Sequence, residues 1–497
     1  MIHLKRFLSL FILAIAFIFI SSCQRSNIFD FILHENATES LVVVTNAEYP
    51  PFAFFGQSNR SKHDIIGVDI ELAKAIAYDM GKNLRIVHRS FVAVLPELRS
   101  NRADVAIAAL SVTEERAQTF DFSHIYFGST SIIVTRLADA HLFQSLTDLN
   151  SPLVRIGALM GSIQAEILIN DFANSITTIL PTAPGLLNAL NNHNIDALII
   201  EDVVFYGVAN QFPHLKQLFE LPSDNPGFAV MINKNQPELL NSINQTIERL
   251  KTSDDFNVWF AYFNALESDF NLFSWYTLWF LLQGLSLTII FSILAVTLGT
   301  LLAFIPAFMR LSKKKIIRYP AAIIIDIIRG TPLLVQVMIL YALIIITPSV
   351  ILGVDIGAFI PGLIAMMINC MAYISEIIRG GILTINKGQF EASRSLGLTL
   401  KQTYLKIILP QAIKNILPSL GNEFITIIKE TSIFMYLGIA ELMFQANIII
   451  YQTFRPIAVL LIAAFLYLII TIPLSKIMNY LEKQKRGEKP PLIKTTV

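Results

Sequence analysis

Two stretches bring together residue types that could do chemistry at a useful spacing. In the first, Ser111 and Arg116 follow a small apolar run and are separated by Val-Thr-Glu-Glu. A guanidinium can hold a carboxylate through two parallel charge-assisted hydrogen bonds, and a nearby hydroxyl can add a third. Tyr49 and Phe91 offer aromatic faces, which suit cationic or planar groups. Each also has a plainer reading: an arginine after Thr-Glu-Glu is a solvated helix residue, and lone aromatics pack in cores. In the second stretch, Glu391–Pro410, the charges of Glu391, Arg394, Lys401 and Lys406 separate two long apolar runs. By charge alone this is a basic solvent-side loop. The sequence holds no metal-spaced His/Cys cluster and no nucleophile constellation. It also has no G-x-x-x-x-G-K-[ST] run, so no P-loop ATPase site and no nucleotide cofactor is expected in this chain.

Such residues need elements to position them. The 497 residues are 54% hydrophobic and only 15% charged, against roughly 25% charged in ordinary soluble domains. Part of the chain therefore lies in lipid. The net charge of +1 gives no ground for a nucleic-acid partner. Cys23 and Cys370 sit in very different contexts, so no disulfide framework follows. Residues 1–23 read as a signal segment, with Lys5 and Arg6 before an apolar run from Phe7 to Ile20. Residues 24–39 read as a linker. Over 40–266 strand-like runs alternate with helical ones, beginning Leu41–Thr45, Ile70–Met80, Leu84–His88. This rhythm predicts an α/β domain with a mostly parallel sheet, whose ligands bind beyond the carboxyl ends of the strands. Pro237–Leu250 reads as a packing helix.

Residues 272–484 contain five apolar stretches, roughly 277–309, 320–346, 356–378, 412–445 and 456–480. Some exceed one span, so tilt or breaks are expected. Basic residues follow the first, third and fifth stretches and are nearly absent after the second and fourth. Because basic loops favour the cytoplasm, this predicts five spans, an external amino-terminal domain, and an internal Glu391 loop and carboxyl-terminal tail (485–497). Glu376, in or at the end of an apolar run, either lines a substrate path with Tyr373 or pairs with Arg379 one turn on. Cys370 reads as a packing residue.

The ordered motifs go further. Asn46–Phe52, Gly67–Ala73, Phe91, Leu95–Leu98, Asp104–Arg116 and Phe120–Ser123 together resemble the solute-binding proteins of polar amino-acid ABC importers, over about 41–263. Glu391-Ala392, Gly397 and Ile407-x-Leu409-Pro410 resemble the EAA loop of the permeases of such importers. Gly284–Thr288, Arg329–Gln336, Ala372–Gly381 and Lys429–Ser432 match the same permeases. Ser393 stands where that family usually has a second alanine.

The resemblance implies a two-lobed periplasmic-binding-protein domain (type II) fused to an all-α transmembrane permease domain of five helices. It implies that Arg116, Ser111 and the Ala109 backbone bind an amino acid in the first lobe, between Tyr49 and Phe91. In the second lobe Ser162 and the Ile163 backbone would meet the carboxylate. Glu201 would meet the ammonium, with the adjacent Asp202 as the alternative. Two crossings between lobes, near Tyr126–Val134 and Leu221–Met231, would form a hinge. Glu391, Ala392 and Gly397 would dock on a separate ATPase subunit, which binds the ATP, and the permease would work as a dimer in the bacterial inner membrane. The aromatic walls with Glu48 and Glu201 tolerate arginine, lysine, histidine or glutamine and lean to arginine or glutamine. The run Ile20–Cys23 resembles a lipobox, implying acylation of Cys23, with an uncleaved anchor as the alternative. A ligand-gated channel would need a re-entrant filter loop and no coupling helix. A signalling receptor would need a cytoplasmic output domain.

Overall fold

The computed structural model describes residues 27–57, 63–221, 227–266, 272–351 and 354–485. The expected signal segment, Cys23 and nearly all of the tail lie outside them.

Two sheets make two lobes. Lobe 1 has a six-stranded sheet in the order Ile28–Phe31, Asn83–His88, Ser40–Thr45, Val105–Ala106, Phe228–Asn233, Phe120–Phe127. Ser40–Thr45 runs parallel to both Asn83–His88 and Val105–Ala106. It is apolar on both faces, as a strand covered by helices on each side must be. Lobe 2 has a five-stranded sheet in the order Ile176–Leu180, Arg155–Leu159, Ala197–Glu201, Ser131–Arg136, Leu215–Glu220. The chain passes from lobe 1 to lobe 2 between Phe127 and Ser131 and returns between Glu220 and Phe228, close to both expected crossings. The helix Pro237–Thr252 packs Ile243, Ile247 and Leu250 inward, as its spacing predicts.

One expectation is revised. Residues 24–39 are not only a linker, because Ile28–Phe31 is an edge strand antiparallel to Asn83–His88. Burial of Ile28 and the Asp30–Arg85 ion pair at 2.7 Å hold it there. Four residues are too few to show a period.

The region after residue 272 is mainly helical. Trp275–Leu311, Ile356–Leu383 and Pro456–Tyr480 are each long and apolar enough to cross a membrane. Two further pairs qualify only together: Lys315–Gly330 with Leu333–Leu343, bent by 105°, and Leu400–Leu437 with Leu442–Thr453, bent by 53°. Five spans result if each bent pair counts as one. The sharper bend falls at Thr331-Pro332, where proline restricts the preceding residue to extended backbone and ends the helix. Cys370 is free and buried against Gly299 in the close contact of the first and third spans, which agrees with the packing reading.

Candidate functional site

The predicted ligand residues converge where strands end. Tyr49 follows Ser40–Thr45, Phe91 follows Asn83–His88, and Ala109 and Ser111 follow Val105–Ala106. In lobe 2, Ser162 follows Arg155–Leu159 and Glu201 closes Ala197–Glu201. All but Arg116 lie at or just beyond the carboxyl edges of their sheets, and Arg116 stands five residues past Ser111.

Arg116 sits on the short helix Glu114–Thr119, whose cap Thr113 accepts from the Arg116 amide at 3.2 Å. Its guanidinium donates to the Ser111 carbonyl at 3.0 Å and, across the cleft, to the Gly161 carbonyl at 3.1 Å. Burial pulls its pKa down, and the carboxylates of Glu166 and Glu201 oppose that shift. Ala109 takes a left-handed conformation, φ 47°, which side chains rarely adopt. Its amide donates to Asp69 at 2.9 Å, and Tyr126 donates to the same carboxylate at 2.6 Å. Asp69 thus fixes the loop that presents Ala109 and Ser111. Sequence reading missed this, because an acid in the first turn of a helix is ordinary dipole chemistry.

In lobe 2, Ser162 caps the helix Ile163–Asp171, accepting from Ala165 and donating to the Leu159 carbonyl at 2.7 Å. Its hydroxyl is therefore already engaged, and Ile163 opens the helix with its amide at the amino-terminal end. Glu201 faces Tyr49 and Gln164, and burial raises its pKa. Burial raises the Tyr49 pKa in turn, with the Glu201 charge adding to it. Asp202 faces elsewhere: it accepts from Ser129 at 3.0 Å, from the Thr130 amide at 3.1 Å and from the Val203 amide at 2.8 Å. Those bonds brace a crossing between lobes. Of the two adjacent acids, Glu201 is the one in the cleft. Gln164 is buried and bonds Ser131 at 3.0 Å. It is a cleft residue no motif pointed to. Phe91 starts the helix Phe91–Arg99 and packs partly against the small core around Val44, while its neighbour Val92 faces Gly161 of lobe 2.

The Glu391 segment folds as the helix Lys387–Ser395, capped by Asn386, with Glu391 and Ala392 exposed. Gly397 follows at φ 79° and lets the Leu398 amide reach back to Ser393 at 3.2 Å. Ser393 is buried, bonding Phe390 and Thr403 at 2.7 and 3.2 Å. Pro410 stands in the first turn of Leu409–Glu430. Among the pore candidates, Glu376 pairs with Arg310 at 2.7 Å and with Arg379 at 2.8 Å, and Tyr373 lies under Arg329 at 5.1 Å. Glu376 engaged by two arginines favours the ion-pair reading over a substrate path.

A two-lobed cleft domain on a helical membrane domain with a polar surface helix defines a receptor joined to a transporter. Residues 41–262 match the bacterial extracellular solute-binding proteins, family 3, and residues 295–487 match the binding-protein-dependent transport system inner membrane component. The chain belongs to the inner-membrane permeases of binding-protein-dependent transport systems, with a solute-binding domain of family 3 fused ahead of the permease. It is 40% identical over 205 residues to a putative glutamine transport system permease protein of Rickettsia typhi, covering 41% of this chain and 92% of that one. It is 38% identical over 218 residues to the glutamine transport system permease protein of Escherichia coli K12, covering 43% and 98%. The structure is also similar to an amino-acid ABC transporter substrate-binding protein of Streptococcus pneumoniae bound to L-arginine, with 32% identity, a TM-score of 0.43, and 45% and 94% of the two chains covered. The chain is thus a multi-pass inner-membrane subunit of an ABC importer, whose family works with a separate ATPase.

Proposed function

We propose that this chain captures a polar amino acid of the glutamine or arginine type in the cleft of residues 40–266 and passes it to the permease of residues 272–484. The observation that carries the reading is that Arg116 of lobe 1 reaches across the cleft to the Gly161 carbonyl of lobe 2, while Glu201 of lobe 2 faces Tyr49 of lobe 1. Arg116 suits an α-carboxylate, Glu201 an α-ammonium, and closure on a ligand satisfies both. Tyr49, Phe91, Ala109, Ser111, Ser162 and Ile163 complete the site, and Tyr49 and Phe91 supply aromatic walls. The glutamine transport relatives support the ligand class.

The coupling helix that carries Glu391 and Ala392, with Gly397 in the turn after it, docks on the ATPase, and two copies of the chain form the pore. The exported domain meets the permease at Tyr341, Pro348, Asp355 and Phe454, near the loops that the basic-residue pattern puts outside. That supports an external binding domain and an internal coupling helix. The channel reading gains a 105° bend in the second span but does not account for the coupling helix. Cys23 is the proposed lipidation site, tested by palmitate labelling.

Calorimetric titration of the full chain in detergent with the twenty amino acids tests the reading. Tight binding of L-glutamine or L-arginine is expected. Folded protein that binds no amino acid overturns the ligand class and leaves the permease assignment standing.

A further inference from the structure

The binding domain meets the permease through both lobes, but very unequally. From lobe 1, Arg89 donates to Glu97 at 2.9 Å and to Asp355 of the permease at 2.7 Å. It also donates to the Tyr341 hydroxyl at 3.2 Å, and that hydroxyl donates to Glu97. Arg102 donates to the carbonyls of Tyr341 and Ile344. Two arginines balance two carboxylates, and the side chains of Arg89 and Glu97 are 0% exposed and that of Asp355 2%. Such a network is self-consistent only while all members are present, since removing one leaves a buried charge unpaired. Beside it the permease backbone comes against lobe 1 at Gly438. A Cβ there would lie 2.9 Å from the His88 carbonyl oxygen and 2.6 Å from Asn27, so the contact admits no side chain.

Lobe 2 touches the permease differently. Asn188 donates to the Phe454 carbonyl at 3.0 Å, and Phe212 meets the Phe454 ring edge-on at 6.1 Å. Among the described residues no ion pair joins lobe 2 to the permease. A neutral amide bond and an aromatic edge exchange readily with water and lipid; a covered four-charge network does not.

We propose that lobe 1 stays latched to the permease throughout the transport cycle, through Arg89, Glu97, Arg102, Tyr341 and Asp355, and that the cleft opens by lobe 2 alone leaving Phe454. The helix Phe91–Arg99 starts at the cleft and carries Glu97 into the latch, so the lobe 1 half of the ligand site stays fixed over the permease. Ligand is then released by withdrawal of lobe 2, with its Ser162, Ile163 and Glu201. The proposal rests on the importer reading above.

The test uses disulfide pairs in the full chain carrying Cys370→Ala, reconstituted with its ATPase in proteoliposomes. One variant carries Ser90→Cys with Tyr436→Cys, positions joined across the lobe 1 interface at 3.0 Å. The other carries Asn188→Cys with Phe454→Cys. Oxidised, the first is expected to keep ATP-driven uptake of labelled L-glutamine or L-arginine within about twofold, and the second to lose about tenfold or more, with recovery in dithiothreitol. Loss in the first, or full uptake in the second, overturns the latch. Disulfide yield reads the same question without uptake: the lobe 1 pair should form equally with and without ATP and vanadate, and the lobe 2 pair should not. A lobe 1 yield that falls with ATP and vanadate refutes the latch. Reduced protein that takes up neither amino acid counts against the ligand class instead, and the yields still decide the latch.

Discussion

Arg116 is the residue whose loss should be most specific. Its guanidinium spans the cleft, and within its own lobe it holds only the Ser111 carbonyl besides a backbone amide bond that any residue makes. Arg116→Ala should weaken ligand binding by about 10- to 100-fold or more, the worth of one to two charge-assisted bonds, with little change in melting temperature. Unchanged affinity in calorimetry would sink the assignment. A second residue-scale prediction concerns pH. Burial pushes Glu48 up from 4.5 to about 7 and His88 down from 6.5 to about 3. Between pH 4.5 and 7 the folded protein holds a proton on Glu48 that the unfolded chain has released, so this group's contribution to stability falls as pH rises. His88 acts oppositely: the unfolded chain binds its proton below 6.5, so its contribution is lost as pH falls from there toward 3. The two stand 4.0 Å apart and offset one another. Glu48→Gln removes the falling component. Its melting temperature should gain on the wild type as pH goes from 5 to 7, and parallel curves would contradict this.

The element with the clearest separate job is the helix Lys387–Ser395. Glu391 is exposed and, among the described residues, its carboxylate makes no ion pair, so Glu391→Lys should leave ligand affinity intact and uncouple ATP hydrolysis from uptake in vesicles. Wild-type uptake would refute the coupling role. Gly397 ends the helix at φ 79° with open space around it. A side chain there meets no atom, only backbone strain, so Gly397→Ala should cost about 1 kcal/mol. A larger loss of coupling than of stability would show that the turn positions the helix for its partner. Ser393 shows how a departure from a motif is absorbed: the added hydroxyl finds Phe390 and Thr403 inside the turn.

At the scale of the whole molecule, stability and transport meet in the interface of lobe 1 and permease. Asp355 also caps Ile356–Leu383 by accepting from the Gly357 amide at 2.9 Å. Asp355→Asn retains an oxygen for that cap but removes the charge opposite Arg89. Breaking such a covered pair costs about 3–5 kcal/mol, whereas Arg249→Ala, which breaks the exposed pair with Asp79, should cost about 1 kcal/mol or less. Thermal unfolding of the full chain compares the two directly; equal losses would mean that the latch carries no special weight.

Much of this protein was legible in its sequence because the signals are local. Composition placed part of the chain in lipid, and the alternation of strand and helix placed the lobes. The run from Asp104 to Arg116 placed one wall of the cleft, since strand end, loop and cap are covalent neighbours. The Glu391 helix was legible for the same reason. Tertiary structure alone turned Glu201 toward Tyr49 and Asp202 toward Ser129, because neighbours at the end of a strand point to different faces. It turned Glu376 toward Arg310, some sixty residues away in the chain. It also brought Arg89 against Tyr341 and Asp355, separated by 252 and 266 residues. No periodicity or spacing encodes a meeting of that range. It arises only when the two domains fold and bury the charges that each alone would leave in water.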